Sequence, residues 1–401
     1  MSILSQSKPE APTVSQNRLD FIEALRGLAA LYVVAFHLAH LPNPHLEIPF
    51  WADKFIQAGG SGVTLFFIVS AFTLTLSMRL HEKEPHPTRR FYLRRVFRIV
   101  PLYYVWMILS WVRNTFFFRA TPSLIMLLLG VSFTFNLVPG YQQGLVWASW
   151  TLGVEMLFYL LFPLVYRYIN NIQKSFGFFF VTLTISSIYT SLLTHYLHVG
   201  AEQVQFVLQR SILHQLPIFA FGMVVFYIFE KFVQNKSLAP SWGFVLIAAS
   251  LFGISAYFDG RLGFFLDGLY WQAINYGLLV LGLSILPVGL LVNRLTLFWG
   301  KLSYSLYLNH PTLVFALIPL YRIIYATQLP VTLKYGICFL IVLVLLTLIS
   351  YITYRFIEKP GMALGTKLIK MFASNPIVHP VPVATPLAVV TEKIESNESG
   401  D

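Results

Sequence analysis

Residues 331–354 read VTLKYGICFLIVLVLLTLISYITY, twenty-four positions with a single charge, Lys334, and no proline. As a helix rising about 1.5 Å per residue, this run is longer than the roughly 30 Å hydrocarbon core of a bilayer. It reads as a membrane span. Working outward, comparable apolar stretches occur at 25–41, 59–78, 99–112, 151–168, 176–196, 212–232, 242–258, 270–292 and 304–321. A further candidate at 122–138 is weakened by polar and helix-breaking positions and ends in Pro139-Gly140.

Composition agrees with this reading. Of 401 residues, 56% are apolar and only 11% are charged, whereas soluble chains carry about 25% charged residues. Phe alone supplies 36 positions, more apolar surface than a water-soluble chain could hide. Lys and Arg number 28 against 17 Asp and Glu, an excess of +11. That excess lies between the spans, where it orients the bundle by the positive-inside rule. No nucleic-acid motif accompanies it, so nucleic acid is not an expected partner. Membrane lipids are. The single cysteine, Cys338, excludes an internal disulfide and a thiolate metal site. His195 and His198 lack a third ligand nearby, so no metal is predicted.

The segment 79–98 holds seven Lys or Arg residues and is expected on the cytoplasmic side. Two spans precede it, which places the N-terminus inside. Ten crossings then keep Arg167, Lys174, Lys231, Lys236, Arg294 and Lys301 inside, whereas eleven would turn them outward. The expected fold is therefore an all-α polytopic membrane protein of about ten transmembrane helices. The 122–138 segment is re-entrant or interfacial, and both termini are cytoplasmic. Residues 1–17 and 371–401 read as disordered tails flanking a membrane domain at 18–370.

Polar groups inside such a bundle are costly and are candidates for function. In DFIEALRGLAALYVVAFH (20–37), Arg26 and His37 are eleven positions apart, about 20° beyond three helical turns. They share a face, about 16 Å apart along the axis. His37 is either functional or an interfacial histidine. Gly59, Gly60 and Gly62, with Ser61, Thr64 and Ser70, suit close helix packing. The run RRFYLRRVFRIVPLYY (89–104) is either an anchor to anionic lipid or a phosphate grip, with Arg95 and Arg98 on one face. Glu155 and Tyr159 lie one turn apart beyond Trp150, either as a functional pair or with Glu155 in a structural pair with an arginine or with a donor on a second helix. Ser303, Tyr307 and His310 follow at i, i+4 and i+7, a stripe that lines a polar pocket or ties helices together. Glu358, in YRFIEKP, suggests a specific ion pair.

In order along the chain, these segments resemble the acyltransferase-3 family of integral membrane acyltransferases, from about Arg18 to Leu364. The resemblance rests on Arg26 and His37; on Gly62, Leu65, Phe66, Phe67, Ser70 and Phe72; and on Arg95, Arg98, Pro101 and Tyr103. It continues through Trp150, Thr151, Leu152, Glu155, Phe158 and Tyr159, then Ser303, Tyr304, Tyr307, Leu308 and His310, and closes on Ile357, Glu358 and Pro360. Ala71 stands where the family usually has glycine. Some members carry an extracytoplasmic esterase-like domain after the membrane part, and this chain resembles a stand-alone form.

The resemblance implies transfer of an acyl group, usually acetyl, from cytoplasmic acyl-coenzyme A to a hydroxyl of a saccharide or lipid-linked glycan. It implies an integral protein of the bacterial cytoplasmic membrane. In that reading His37 and Glu155 are catalytic, while Arg26, Arg95 and Arg98 contact the acyl-CoA (acetyl-CoA) donor. Ser70, Trp150, Tyr159, Ser303, Tyr307 and His310 become substrate-pocket candidates, and Glu358 a structural motif residue. The competing reading is a transporter or flippase of lipid-linked saccharides without acyl chemistry.

Overall fold

The computed structural model describes residues 19–196, 200–234, 238–258 and 268–374. His198, Lys236, the expected tail at 1–17 and most of that at 371–401 lie outside these described residues. The chain enters as α1 (Asp20–His40), turns through the short α2 (Asp53–Gln57) and returns as α3 (Gly62–His81). Then come α4 (Pro87–Val112), α5 (Leu124–Ser132), α6 (Trp150–Tyr168), α7 (Ile172–Tyr196) and α8 (Ala201–Arg210). They are followed by α9 (Ile212–Ile228), α10 (Pro240–Phe258), α11 (Gly268–Ile285) and α12 (Arg294–Ala316). The chain closes with α13 (Ile318–Tyr325), α14 (Val331–Thr353) and α15 (Lys359–Ser374).

Among the described residues there is no strand, and seven helical stretches are long and apolar enough to cross a membrane. The span quoted at the outset shows why lipid is the right solvent. Cys338, Val342 and Leu346 on α14 are fully buried, yet Leu340, Val344 and Leu348 on its other face are 59%, 58% and 56% exposed. A helix apolar on both faces, one packed and one bare, belongs in a bilayer.

Several boundaries differ from the sequence expectation, among them that of 270–292, whose helix ends at Ile285, and two more have a visible cause. The final span before α14, expected at 304–321, begins at Arg294 and ends at Ala316. Asn293 starts it by accepting from the backbone N–H groups of Leu295 and Thr296 at 3.0 and 3.1 Å, while Thr296 Oγ1 accepts from Asn293 N. This reciprocal cap sets the start of the helix, although Arg294 and Lys301 lower its hydropathy. At the other end of the chain, α15 runs to Ser374, past the tail boundary drawn at 370. Its Gly361 lies against α4, where a Cβ would meet Pro101 Cγ at 2.8 Å.

Apart from a 3-10 turn at Phe135–Leu137, the 122–138 segment is helical over the nine residues of α5, about 14 Å. That is half a bilayer core. Ser123 caps its start by accepting from Met126 N, and Phe133 ends it in a left-handed conformation (φ 58°). The Phe133 ring then packs on Tyr103 of α4, with centroids 4.4 Å apart.

α1 sits at the centre, because small residues admit its neighbours. A Cβ on Gly300 of α12 would lie 2.0 Å from Glu23 O, so only glycine allows the two backbones this close. Gly62 of α3 similarly rests on Ala29 O, at 2.7 Å from a Cβ position. Ala71, the departure from the family pattern, is accommodated by Gly222 of α9, where a Cβ would meet the Ala71 methyl at 2.7 Å.

Candidate active site

Three guanidinium groups meet at the Arg26 end of α1. Arg26, with Arg95 and Arg98 of α4, lines a narrow cavity of about 70 Å³. Among the described residues none of the three has a carboxylate within ion-pair distance. Arg95 lies over the rings of Phe91 and Tyr159, at 5.9 and 5.7 Å, and Arg98 Nη1 reaches only the thioether of Met362 at 3.6 Å. Like charges gathered in a low-dielectric setting are costly unless an anion joins them.

Glu155 lines the same cavity, and among the described residues its partner from another helix is a hydroxyl donor, one of the two structural alternatives, and not an arginine. It accepts from Ser70 Oγ at 2.6 Å and from the hydroxyl of Tyr159 through a short hydrogen bond. Ser70 Oγ and Tyr159 OH are themselves 3.2 Å apart. A carboxylate held by a hydroxyl of α3 and by another one turn along its own helix is fixed in orientation at the slot. Ser303 and Tyr307 also line this cavity, and Ser303 Oγ is buried without a hydrogen-bond partner.

A larger cavity of about 450 Å³ opens at the His37 end. His37, Trp150 and Tyr307 line it, and Val63 and Tyr307 belong to the walls of both cavities. Thr151 Oγ1 donates to Tyr307 OH at 2.9 Å, steadying that partition. The eleven-residue spacing thus sets Arg26 on one cavity and His37 on the other.

His310 lines neither cavity. It is fully buried behind His37, with its Nε2 3.2 Å from His37 Nδ1. Its own Nδ1 is 2.6 Å from Tyr307 O. Proline supplies no N–H, so Pro311 leaves the carbonyl one turn back, that of Tyr307, without its helical donor. The His310 side chain takes the vacant place. A carbonyl only accepts, so His310 Nδ1 carries the proton, and in the neutral ring Nε2 is an acceptor. His37 Nδ1 faces that acceptor and Val33 O at 3.0 Å, so it too is the protonated nitrogen. The lone pair of a neutral His37 is then on Nε2.

Glu358 departs from expectation as well. It is buried in the π turn Tyr354–Glu358, where one oxygen accepts from Ser305 through a short hydrogen bond and the other has no partner. Among the described residues it forms no ion pair, although Arg98 and Arg26 act on it at longer range.

Sequence reasoning missed the other wall of the His37 cavity: Gln205, Gln209, Arg210, Gln215 and Gln272. The i, i+4 pair Gln205 and Gln209 on the amphipathic stretch AEQVQFVLQR was the available signal.

Comparison with known proteins bears on this geometry. The chain is 25% identical over 392 residues to the O-acetyltransferase OatA of Staphylococcus aureus, covering 88% of this chain and 58% of that relative. It is 23% identical over 315 residues to a putative acetyltransferase, ORF330, of Acidianus two-tailed virus, covering 77% of this chain and 87% of that relative. A third similarity, 32% over 175 residues, is to the acyltransferase MdmB of Streptomyces mycarofaciens and covers 39% of this chain and 41% of that relative. The chain spans little more than half the length of OatA. No solved structure matches. The model of the acyltransferase domain family matches residues 19–355, most of the helical bundle, and the chain therefore belongs to the acyltransferase-3 family.

Proposed function

We propose that this chain is a membrane O-acyltransferase that moves an acyl group, acetyl in the simplest case, from acyl-coenzyme A to a saccharide hydroxyl. The observation that carries this reading is the pair of cavities sharing Val63 and Tyr307, one walled by three unpaired arginines and the other by His37. Guanidinium groups grip phosphate bidentately, which suits coenzyme A. A slot of about 70 Å³ is too narrow for a nucleotide. The arginines would therefore hold the phosphates at its mouth while the acyl-pantetheine arm threads inward. We take α1, α3, α4, α6, α7, α9, α10, α11, α12 and α14 as ten crossings, with both termini and the 79–98 cluster in the cytoplasm. In a bacterial cytoplasmic membrane, the donor then enters from inside and the acceptor from outside.

In the reaction, His37 Nε2 takes the proton from the acceptor hydroxyl as its oxygen attacks the thioester carbonyl. The tetrahedral centre collapses with cleavage of the C–S bond. The proton on His37 passes to the departing coenzyme A thiolate, which leaves a neutral histidine, an ester and a thiol. His310 holds the tautomer that aims the Nε2 lone pair at the acceptor, as the third member of a catalytic triad orients its base. Glu155 stabilises positive charge near the slot and balances the arginines when no donor is bound. Family membership favours this over a carrier of lipid-linked saccharides, which would move its cargo without consuming acyl-CoA. Mass spectrometry of cell-surface glycans with and without the chain tests the reading. One acyl mass appearing on one glycan is expected, and glycans of identical mass would overturn it.

A further inference from the structure

The wide cavity at the His37 end has a chemical character that the acyl-transfer reading does not require. Among the described residues no Asp or Glu lines it, and Arg210 is the arginine there. That guanidinium is fixed in place. Its Nε donates to Gln143 Oε1 at 2.8 Å and its Nη1 to Phe206 O at 3.0 Å, while its plane lies 3.6 Å from the Phe206 ring. No carboxylate pairs with it, and Nη2 has no hydrogen-bond partner among the described residues. The side chain of Asn136 donates to both Trp150 O at 3.0 Å and Arg210 O at 2.8 Å, which locks the arginine beside the indole. Around this pair stand Gln205, Gln209 and Gln272, with Thr64 donating to Gln272 Oε1 at 3.3 Å.

Amides offer donors and acceptors side by side, which matches a ring of hydroxyls, and an indole face accepts the apolar face of a pyranose. A clamped, unpaired guanidinium adds a demand that a neutral sugar does not meet, since its planar fork matches carboxylate or phosphate. Resting on the reading that the acceptor occupies this cavity, we propose that the acceptor is an anionic saccharide. Its carboxylate or phosphate binds Arg210 while a neighbouring hydroxyl is presented to His37.

The test uses the purified full-length chain in detergent micelles and saturation-transfer NMR with three probes: methyl β-D-glucuronide, glucose 1-phosphate and methyl β-D-glucoside. At least one anionic probe is expected to bind about tenfold or more tightly than the neutral glucoside. Preference for the glucuronide identifies a carboxylate acceptor, and preference for the phosphate a sugar phosphate. Arg210→Gln is expected to lower anionic affinity to the neutral level. Gln272→Glu still accepts from Thr64 and leaves the arginine clamp intact, yet it is expected to weaken the anionic probes about tenfold through repulsion. Equal affinity for all three probes, no binding of either anion, or a preference unchanged in both variants overturns the proposal. Release of free thiol from acetyl-CoA, measured in parallel, reports on acyl transfer itself. Release that is equally fast with the neutral glucoside removes the anionic requirement and spares the enzyme. Anion binding without any thiol release does the reverse.

Discussion

At the Arg26 end of α1 a slot of about 70 Å³ is walled by three guanidinium groups, whereas at its His37 end a cavity of about 450 Å³ is walled, among the described residues, mainly by amides, hydroxyls and the clamped guanidinium of Arg210. The narrow end concentrates three positive charges beside one carboxylate, Glu155. The wide end spreads hydrogen-bonding capacity over several residues. The first suits one thin, highly anionic molecule, and the second a bulkier, hydroxyl-rich one. One helix can serve both because eleven residues bring its face round again after three turns, about 16 Å further along.

The contrast can be broken most sharply at the narrow end. Arg98→Gln removes a charge-assisted contact valued at about 1.5–3 kcal/mol, so KM for acyl-CoA is expected to rise roughly 10- to 100-fold with kcat little changed. Steady-state thiol-release kinetics with acetyl-CoA as the varied substrate check this. An unchanged KM would mean that the arginines anchor lipid only.

Next in size is the seam that holds the two ends in register. In Gly300→Ala a methyl group would have to occupy a point 2.0 Å from Glu23 O, forcing α12 off α1. Overpacking of this kind costs about 1–3 kcal/mol. A lower melting temperature in detergent is expected, together with lower activity because His310 moves with α12.

A smaller effect sharpens the wide end. Pro311→Ala restores an N–H that competes with His310 for Tyr307 O, loosening the tautomer lock. The loss of one net hydrogen bond predicts about a 2- to 10-fold drop in kcat. Melting temperature should hold or rise, since interior proline strains a helix. Falling stability with constant kcat would mean that the contact is only structural.

The smallest effect is expected at Glu84, in the turn between α3 and α4. Burial pulls its carboxyl up, but the hydrogen bond from Arg90 and the charges of His81, Arg94 and Arg90 outweigh it. It therefore titrates below its ordinary value of 4.5. The contribution is complete above that ordinary value and fades as pH falls through the depressed one. Because Glu84 is about one-third exposed (34%), it is worth less than about 1 kcal/mol. Glu84→Gln should melt slightly lower at pH 7, and the gap to the native chain should close in acid.

The sequence pattern made the gross fold and half of the site legible. Arg26 and His37 follow from helical arithmetic, and Arg95 and Arg98 from their density beside a span. The start of α12 was hidden because Arg294 and Lys301 dilute the hydropathy of a helix that its Asn293 cap nevertheless begins. The partner of Glu358 was misread, whereas a second-helix donor to Glu155 was among the alternatives left open. Glu358 was expected to form an ion pair and instead accepts from Ser305 of α12, and Glu155 accepts from Ser70 of α3 as well as from Tyr159 one turn away; the contacts between helices are ones that no spacing reveals. The role of His310 depends on a carbonyl vacated by Pro311 and on a contact across 273 positions of sequence. The glutamine wall is assembled from residues of α8, α9 and α11 that line one cavity.

The most direct test reconstitutes the chain in liposomes with acetyl-CoA and a saccharide extract of the cell surface, and measures thiol release against ester formation for the native chain and His37→Ala. One thiol per ester is expected from the native chain, and a loss of about 10²–10⁴-fold from the variant at equal protein abundance. Native rates in His37→Ala, or ester formation without thiol release, would contradict the account.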